Sequence, residues 1–540
     1  MRVSLAPSGK TDEKNVITNN EIKDDMKTIR LFQVSMLLAL TLIAAGCGND
    51  EVAKNEQQDA NGIPAGTTVF SGETRPSTTT RTMIVDHTKG GSAKVNWAAT
   101  DKVWVKDDAS TWQQSGAATF PVATNKAKAM FSLNGTYTGA THDVIYTNLP
   151  ITGTPQVEIK STQTQTAANN FDHAGASGDC AIATAHGGNG GYSFLLDHKS
   201  SYLCFLPRCM NVDLGKNIYL TKVTITADKP IAGTFNIAGG SIAGNAPAAN
   251  GSNTITLATT NFPLNTTVAD VTKNAAYMVI APGTYNFTIG YTIKDPTTNV
   301  EGMITKTLTA FTCDEGKIHD ITAWIDKDIT HYQNQMYMWD ARTDQPYWNG
   351  VANYPVVNNA TNNAYPHNSA DPRWCNEGPT IGVGAPFRSA ASMPSANEYM
   401  WYAQRGNPHW DGDKLWAMDK HLYKGGMWIK KKSYISGFTS TQTPTGANLN
   451  TTPQDYSSSS NISATPTQGR PAQTVINQYF FLPANGYYDS DMLKLRNSTG
   501  YYTTKTAVYS LHTAIFWFYS SYIGVGVNLK TLGTSCMPMQ

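Results

Sequence analysis

Charge is scarce in this chain. Asp, Glu, Lys and Arg make up 15% of its 540 residues, against roughly 25% in an average globular protein, and the polar remainder is rich in Thr, Asn, Ser and Gly. Lys and Glu are the usual coat of an exposed helix, whereas Thr fits a pleated surface, so the deficit favours strands and loops. Neither sign dominates: 41 basic side chains stand against 40 acidic ones, leaving no net field to gather nucleic acid, and the one basic run is Lys430-Lys431-Lys432. No nucleic-acid partner is expected. The 40% hydrophobic content is enough to fill several cores, which excludes disorder throughout. Enzyme signatures are missing as well. There is no H-E-x-x-H, no G-x-S-x-G and no Gly-rich loop closed by Lys-Ser/Thr, and no C-x-x-C pair to suggest structural zinc or a dithiol redox site. The expectation is a non-enzyme with no cofactor and no metal; a hydrolase with carboxylates on separate loops carries no such signature and stays open.

What is present begins with an address. After Met26 come Lys27 and Arg30, the mostly apolar run Leu31 to Ala45, and then Gly46-Cys47-Gly48-Asn49-Asp50. A charged start, a short greasy centre and small residues at the cut are the anatomy of a secretory signal, and the run falls short of the about 20 residues of a membrane-spanning helix. It also resembles a bacterial lipoprotein signal, which implies a lipidated Cys47 at the mature N-terminus and a membrane held through that lipid. Residues 1–46 are therefore assigned to an upstream segment and signal, with residues 1–25 resembling an upstream misread start. The polar stretch 47–66 reads as a tether. Six cysteines remain, Cys180, Cys204, Cys209, Cys313, Cys375 and Cys536, an even number in a compartment that permits disulfides.

From about Thr67 the text becomes short runs of Val, Ile, Thr and aromatics broken by Gly, Pro and Asn. Val223 and Ile225 alternate with Thr224 and Thr226, and Phe287, Ile289 and Tyr291 with Thr288 and Gly290, the period of two of half-buried antiparallel strands. With no long amphipathic helix between them, they predict a mainly β fold: two tandem antiparallel sandwiches over 67–212 and 213–328. The stretch 329–540 differs, holding eight of the chain's 12 tryptophans, and reads as a separate domain. Its helix signal is Pro394-Ser395-Ala396-Asn397-Glu398, where Ser395 and Glu398 have capping-box spacing, so a helix should run to about Arg405 and stop at Gly406. Ser436 to about Gln473 reads as a long surface loop.

The lipoprotein signal, Thr80-Arg81-Thr82 leading to Val95-Asn96-Trp97-Ala98-Ala99-Thr100-Asp101-Lys102-Val103-Trp104-Val105, and the closing strand Gly316-Lys317-Ile318-His319-Asp320-Ile321-Thr322 together resemble the fimbrillin family over roughly residues 67–328. The resemblance implies two transthyretin-like sandwiches, a place in a fimbrium on the cell surface with other fimbrial subunits as partners, and proteolysis behind a basic residue near the N-terminus, for which Arg75 and Arg81 are the candidates. Such a cut would remove a strand and expose a sheet edge that a neighbour's strand could complete. The last part, through Leu415-Trp416 to Lys424-Gly425-Gly426-Met427-Trp428 and Phe481-Leu482-Pro483-Ala484-Asn485-Gly486-Tyr487, resembles aromatic modules of surface lipoproteins, which implies an α+β C-type-lectin-like domain. The resulting expectation is a tip or accessory adhesin of the outer membrane that meets a glycan or protein receptor of host or bacterium; the alternative is a surface glycan-binding lipoprotein that never polymerises.

Trp410 and Trp416, close to Pro408 and Gly412, are the candidate exposed pair for stacking on sugar rings, set against the ordinary reading of large aromatics as core. His409, Asp411 and Asp413 offer nitrogen and oxygen to a cation, but carboxylates beside Gly are ordinarily turn formers. A lectin-like fold that brings its two ends together would let Cys375 and Cys536 pair; spacing alone does not decide connectivity.

Overall fold

The computed structural model describes residues 67–73, 83–85, 87–91, 93–188, 191–242, 246–451 and 463–540. The signal, the tether, Cys47, Arg75 and Arg81 lie outside the described residues. Strands dominate throughout, as the composition predicts. The chain divides into two compact units. The first takes in the described residues up to Met210 with Tyr219–Ile293 and Met303–Ile325; the second takes in Asn211–Ile218, Lys294–Gly302 and Asp326–Gln540.

In the first unit, one sheet runs in the order Trp112–Gln114, Trp104–Lys106, Thr141–Tyr146, Ala181–Gly188, Gly191–Leu195, Thr68–Glu73, Lys128–Leu133. Along Lys128–Leu133 every second residue, Ala129, Phe131 and Leu133, is buried. These pack with Phe70, Trp97, Val103, Val105 and Phe194 in one apolar cluster. A second sheet runs Val300–Cys313, Gly283–Asp295, Tyr219–Ala227, Thr254–Pro263, Thr162–Gln165. The alternations anticipated there are realised in most positions: Val223, Ile225, Phe287, Ile289 and Tyr291 are buried, while Thr226 and Thr288 face out; Gly290, expected outward, is buried where Met303 covers it.

The expected cut at 212 falls across strand pairing. Gln156–Ile159 pairs with Ala232–Ala238, Thr162–Gln165 pairs in parallel with Thr254–Pro263, and Ser201–Arg208 lies between Ala276–Ile280 and Ile318–Trp324. Two glutamines show why the early strands belong with the later ones. Gln163 donates from Nε2 to the Val279 carbonyl at 2.8 Å and accepts from the Val279 N–H at 2.9 Å. Gln165 does the same with Ala275 O at 2.9 Å and Tyr277 N at 2.6 Å. Their amides pair backbone groups of Ala275, Tyr277 and Val279 that a sheet neighbour would otherwise satisfy, so burying these polar side chains costs little.

The second unit has a sheet in the order Thr330–His331, His409–Met418, His421–Lys430, Tyr479–Pro483, and a six-stranded one in the order Met336–Tyr337, Thr534–Ser535, Gly500–Tyr509, His512–Tyr519, Tyr522–Leu529, Ser463–Ala464. The helix forms as its signal predicts, over Ala396–Arg405. Ser395 Oγ accepts from the Glu398 N–H, and the Glu398 carboxylate accepts from the Ser395 N–H at 2.8 Å. Its inner face, Tyr399, Met400, Tyr402 and Ala403, joins Ile429, Leu482, Phe516, Phe518 and Val525 in the main core. With its ten-residue helix packed on these sheets, the unit is mainly β.

Candidate functional site

Thr68–Glu73, the first strand among the described residues, is held from both sides. It runs parallel to Gly191–Leu195, with Phe70 opposite Tyr192, and antiparallel to Lys128–Leu133, with Phe70 opposite Phe131. Phe70 is fully buried and stacks on Tyr192 with centroids 4.7 Å apart. Gly72 lies so close to the core that an added Cβ would come within 2.8 Å of the Phe194 ring and 3.0 Å of Trp97. The strand is thus a two-sided insert whose inward face is one large ring and one vacant side chain. Withdrawing it would bare the main-chain edges of two strands and an apolar slot shaped by Tyr192, Phe131, Phe194 and Trp97. Arg75 and Arg81 follow it directly in the sequence.

In the second unit the aromatics are placed differently from the sequence expectation. Trp416 is fully buried, stacked on Tyr423 at 4.8 Å with its indole N–H donating to the Gly425 carbonyl at 2.9 Å. It is a core residue and presents no face to a sugar, because the His409–Met418 strand turns this side chain inward. Trp410 is half-buried and packs edge-on to Phe518 at 6.5 Å. The two do not form an exposed pair. His409, Asp411 and Asp413 do not converge either: Asp411 accepts from the Asp413 and Lys414 N–H groups and from Trp428 Nε1, which makes it a turn former.

What the sequence reading missed is an aromatic stripe that starts at Tyr487, on the short hairpin Tyr487–Asp489 and Met492–Lys494, and continues across the six-stranded sheet. Tyr487 lies 4.4 Å from Tyr501, Tyr501 stacks on Trp517 at 5.9 Å, Trp517 lies 4.6 Å from Tyr522, and Tyr522 stacks on Tyr519 at 5.5 Å. Tyr487, Trp517, Tyr519 and Tyr522 are partly exposed. The signal was available in Phe516-Trp517-Phe518-Tyr519: on a strand the odd and even members face opposite ways, and here Phe516 and Phe518 are core while Trp517 and Tyr519 are not.

Cys375 and Cys536 are both free thiols, so the bridge between them is not formed. The two ends of the last unit do meet, Met336 pairing opposite Ser535, but this register sets the Cys536 N–H on the Gln335 carbonyl at 2.9 Å. Cys536 Sγ then hydrogen-bonds Thr503 Oγ1 at 3.4 Å, whereas Cys375 packs with Tyr347 and Trp348. Burial pushes the Cys536 thiol up to about 11 and that of Cys375 up to about 12, which keeps both protonated at neutral pH.

Among the described residues, one set of side chains gathers metal-binding atoms: His87, Cys204 and Asp320, within 4.8 Å of one another. No helix among the described residues is long and apolar enough to cross a membrane.

No family model matches the chain. No curated protein matches it either. Among solved structures it is similar to one described as a candidate cell adhesion protein from Bacteroides uniformis, with 15% identity and a TM-score of 0.30 over 48% of this chain and 94% of that one. It is also similar to a fimbrilin from Porphyromonas gingivalis, with 10% identity and a TM-score of 0.23 over 48% of this chain and 97% of that one. A fimbrial protein from Bacteroides ovatus aligns with 10% identity and a TM-score of 0.22 over 87% of this chain and 98% of that one.

Proposed function

We propose that this chain is a structural, adhesive fimbrial subunit, exported as an outer-membrane lipoprotein through Cys47 and used at a tip or accessory position. One observation carries the reading: Thr68–Glu73 is a short strand inserted between two others, and the basic residues at which it could be cut away follow it directly in the sequence. Cleavage behind Arg75 or Arg81 would release that strand. The slot left behind offers unpaired N–H and C=O groups on both sides and a pocket for one ring, which is what an incoming strand from another subunit needs: main-chain bonds for affinity and an alternate side chain for register.

The test is to incubate the purified chain with a trypsin-like protease and follow polymers by gel. Cleavage between residues 54 and 89 followed by a ladder of multimers, absent from an Arg75→Ala/Arg81→Ala variant, is the expected result. A clean cut that leaves only monomer contradicts assembly.

A second reading, a glycan-binding lipoprotein that does not polymerise, is favoured by the partly exposed stripe Tyr487, Trp517, Tyr519 and Tyr522, since flat aromatic faces suit the C–H faces of sugars. It predicts glycan-array binding that Trp517→Ala abolishes, with no ladder after protease.

A further inference from the structure

Three neighbouring strands of the first unit bring side chains of unlike chemistry to one register position. Ser201–Arg208 lies between Ala276–Ile280 and Ile318–Trp324, and across this sheet Cys204 is paired with Tyr277 on one side and with Asp320 on the other. Directly opposed residues point to the same face of a sheet, so a hydroxyl, a thiol and a carboxylate stand in a row. The segment after strand Met83–Val85 closes over that row. The Gly90 N–H donates to Asp320 Oδ2 at 2.6 Å, and His87, itself buried, brings Nδ1 to 3.1 Å from the Tyr277 hydroxyl and Nε2 to 3.6 Å from Asp320 Oδ1.

Hydrogen-bond polarity settles which imidazole nitrogen is bare. Tyr277 donates its hydroxyl hydrogen to Asn169 Oδ1 at 2.9 Å, so toward His87 it accepts, and Nδ1 carries the ring hydrogen. Nε2 of the neutral ring therefore directs a lone pair at Asp320 Oδ1, a buried oxygen whose nearby donor is the Cys204 thiol. Two electron-rich atoms facing each other out of water are costly unless something positive lies between them. Their 3.6 Å separation is close to the about 3.4 Å edge of a tetrahedron with bonds near 2.1 Å. Cys204, fully buried, supplies sulfur within reach of both.

We propose that His87 Nε2, Cys204 Sγ and Asp320 Oδ1 form a site for a divalent transition metal of the zinc type. One nitrogen, one sulfur and one carboxylate oxygen are ligands that such an ion accepts together, whereas calcium and magnesium require an all-oxygen set. The hydrogen bond from Nδ1–H to Tyr277 is the outer-shell contact that orients a metal-binding imidazole. On binding, the Cys204 S–H bond breaks, its proton leaves to solvent and the thiolate pair forms the metal–sulfur bond. The ion would fasten the 87–91 segment to the sheet. The residues lie 117 and 116 positions apart in sequence, which is why no spacing motif announces them.

The experiment titrates the full chain, freed of metal with EDTA, with Zn2+ by calorimetry and with Co2+ by absorption. The site predicts one equivalent per chain and a thiolate-to-cobalt charge-transfer band. Cys204→Ser should remove the band, and His87→Gln should weaken Zn2+ binding by more than about tenfold. Should the core substitution Cys204→Ser fail to fold, His87→Gln, outside the regular strands, carries the test with circular dichroism as its control. Absence of metal uptake by the unmodified chain, which would leave a proton as the only positive partner, overturns the proposal. So does uptake that His87→Gln leaves unchanged.

Discussion

Lys128–Leu133 in the first unit buries alternate residues, while Gly500–Tyr509 in the second buries nearly all of its length on both faces. Both units bury charge as well, the first at Asp179 and His198, whose Oδ1 and Nδ1 lie 2.8 Å apart. In the second unit, the carboxylate of the fully buried Asp340 accepts from the Phe387, Arg388 and Ala390 N–H groups and from Asn376 Nδ2, organising an irregular stretch where no ladder exists. Arg496, 1% exposed, donates to the Asn485 carbonyl and to the Tyr423 and Tyr488 hydroxyls, and its Nη1 lies 3.6 Å from Asp419. Lys530 donates to the Pro379 carbonyl at 2.8 Å over the face of Trp339. Regular alternation lets apolar packing help set the register, with a few buried anchors such as Gln163 and Gln165; long connections filled with aromatics lean on buried polar anchors more heavily, and each anchor becomes a point of failure.

The largest break in this contrast is expected at Arg496. Arg496→Leu takes the cation from beside Asp419 and a donor from the Tyr423 and Tyr488 hydroxyls, and should destabilise the second unit by about 3–5 kcal/mol, read by urea denaturation followed through tryptophan fluorescence. A loss under 1 kcal/mol would mean that the buried charge is a passenger.

An intermediate effect belongs to the first unit and to pH. Burial holds the His173 imidazole down to about 4, and its Nε2 has no partner. Because the folded value lies below the unfolded one, the unfolded chain takes the proton first. The contribution is complete above about pH 6.5 and is lost as pH falls toward 4, on the order of 3 kcal/mol in all. His173→Gln should flatten that part of the pH profile; an unchanged slope would place the acid sensitivity elsewhere.

The smallest effect sharpens the comparison at a local level. Ser395→Ala removes one half of the capping box and should cost the second unit about 1 kcal/mol, measured as a shift in the thermal midpoint, with the first unit's transition unmoved.

Legibility followed the same division. Strands such as Tyr219–Ala227 and the helix Ala396–Arg405 could be read because period and capping are local properties. The exchange of Gln156–Ile159 and Thr162–Gln165 into later sheets could not, since pairing depends on which distant edge is open. Trp416 misled because proximity to Pro408 and Gly412 says nothing about which face of a strand a side chain takes, and one residue of register inverts it. The expected bridge failed for a related reason: the ends met, but Gln335 rather than Cys375 stood opposite Cys536.

Exchangeability of Thr68–Glu73 is tested most directly with a labelled peptide spanning residues 67–73, added to the chain after protease trimming. The account predicts saturable uptake of one peptide per chain, lost when the peptide carries Phe70→Asp, because that ring fills the slot between Tyr192 and Phe131. Uptake of neither peptide, or of both equally, by a chain trimmed behind Arg75 or Arg81 would contradict it.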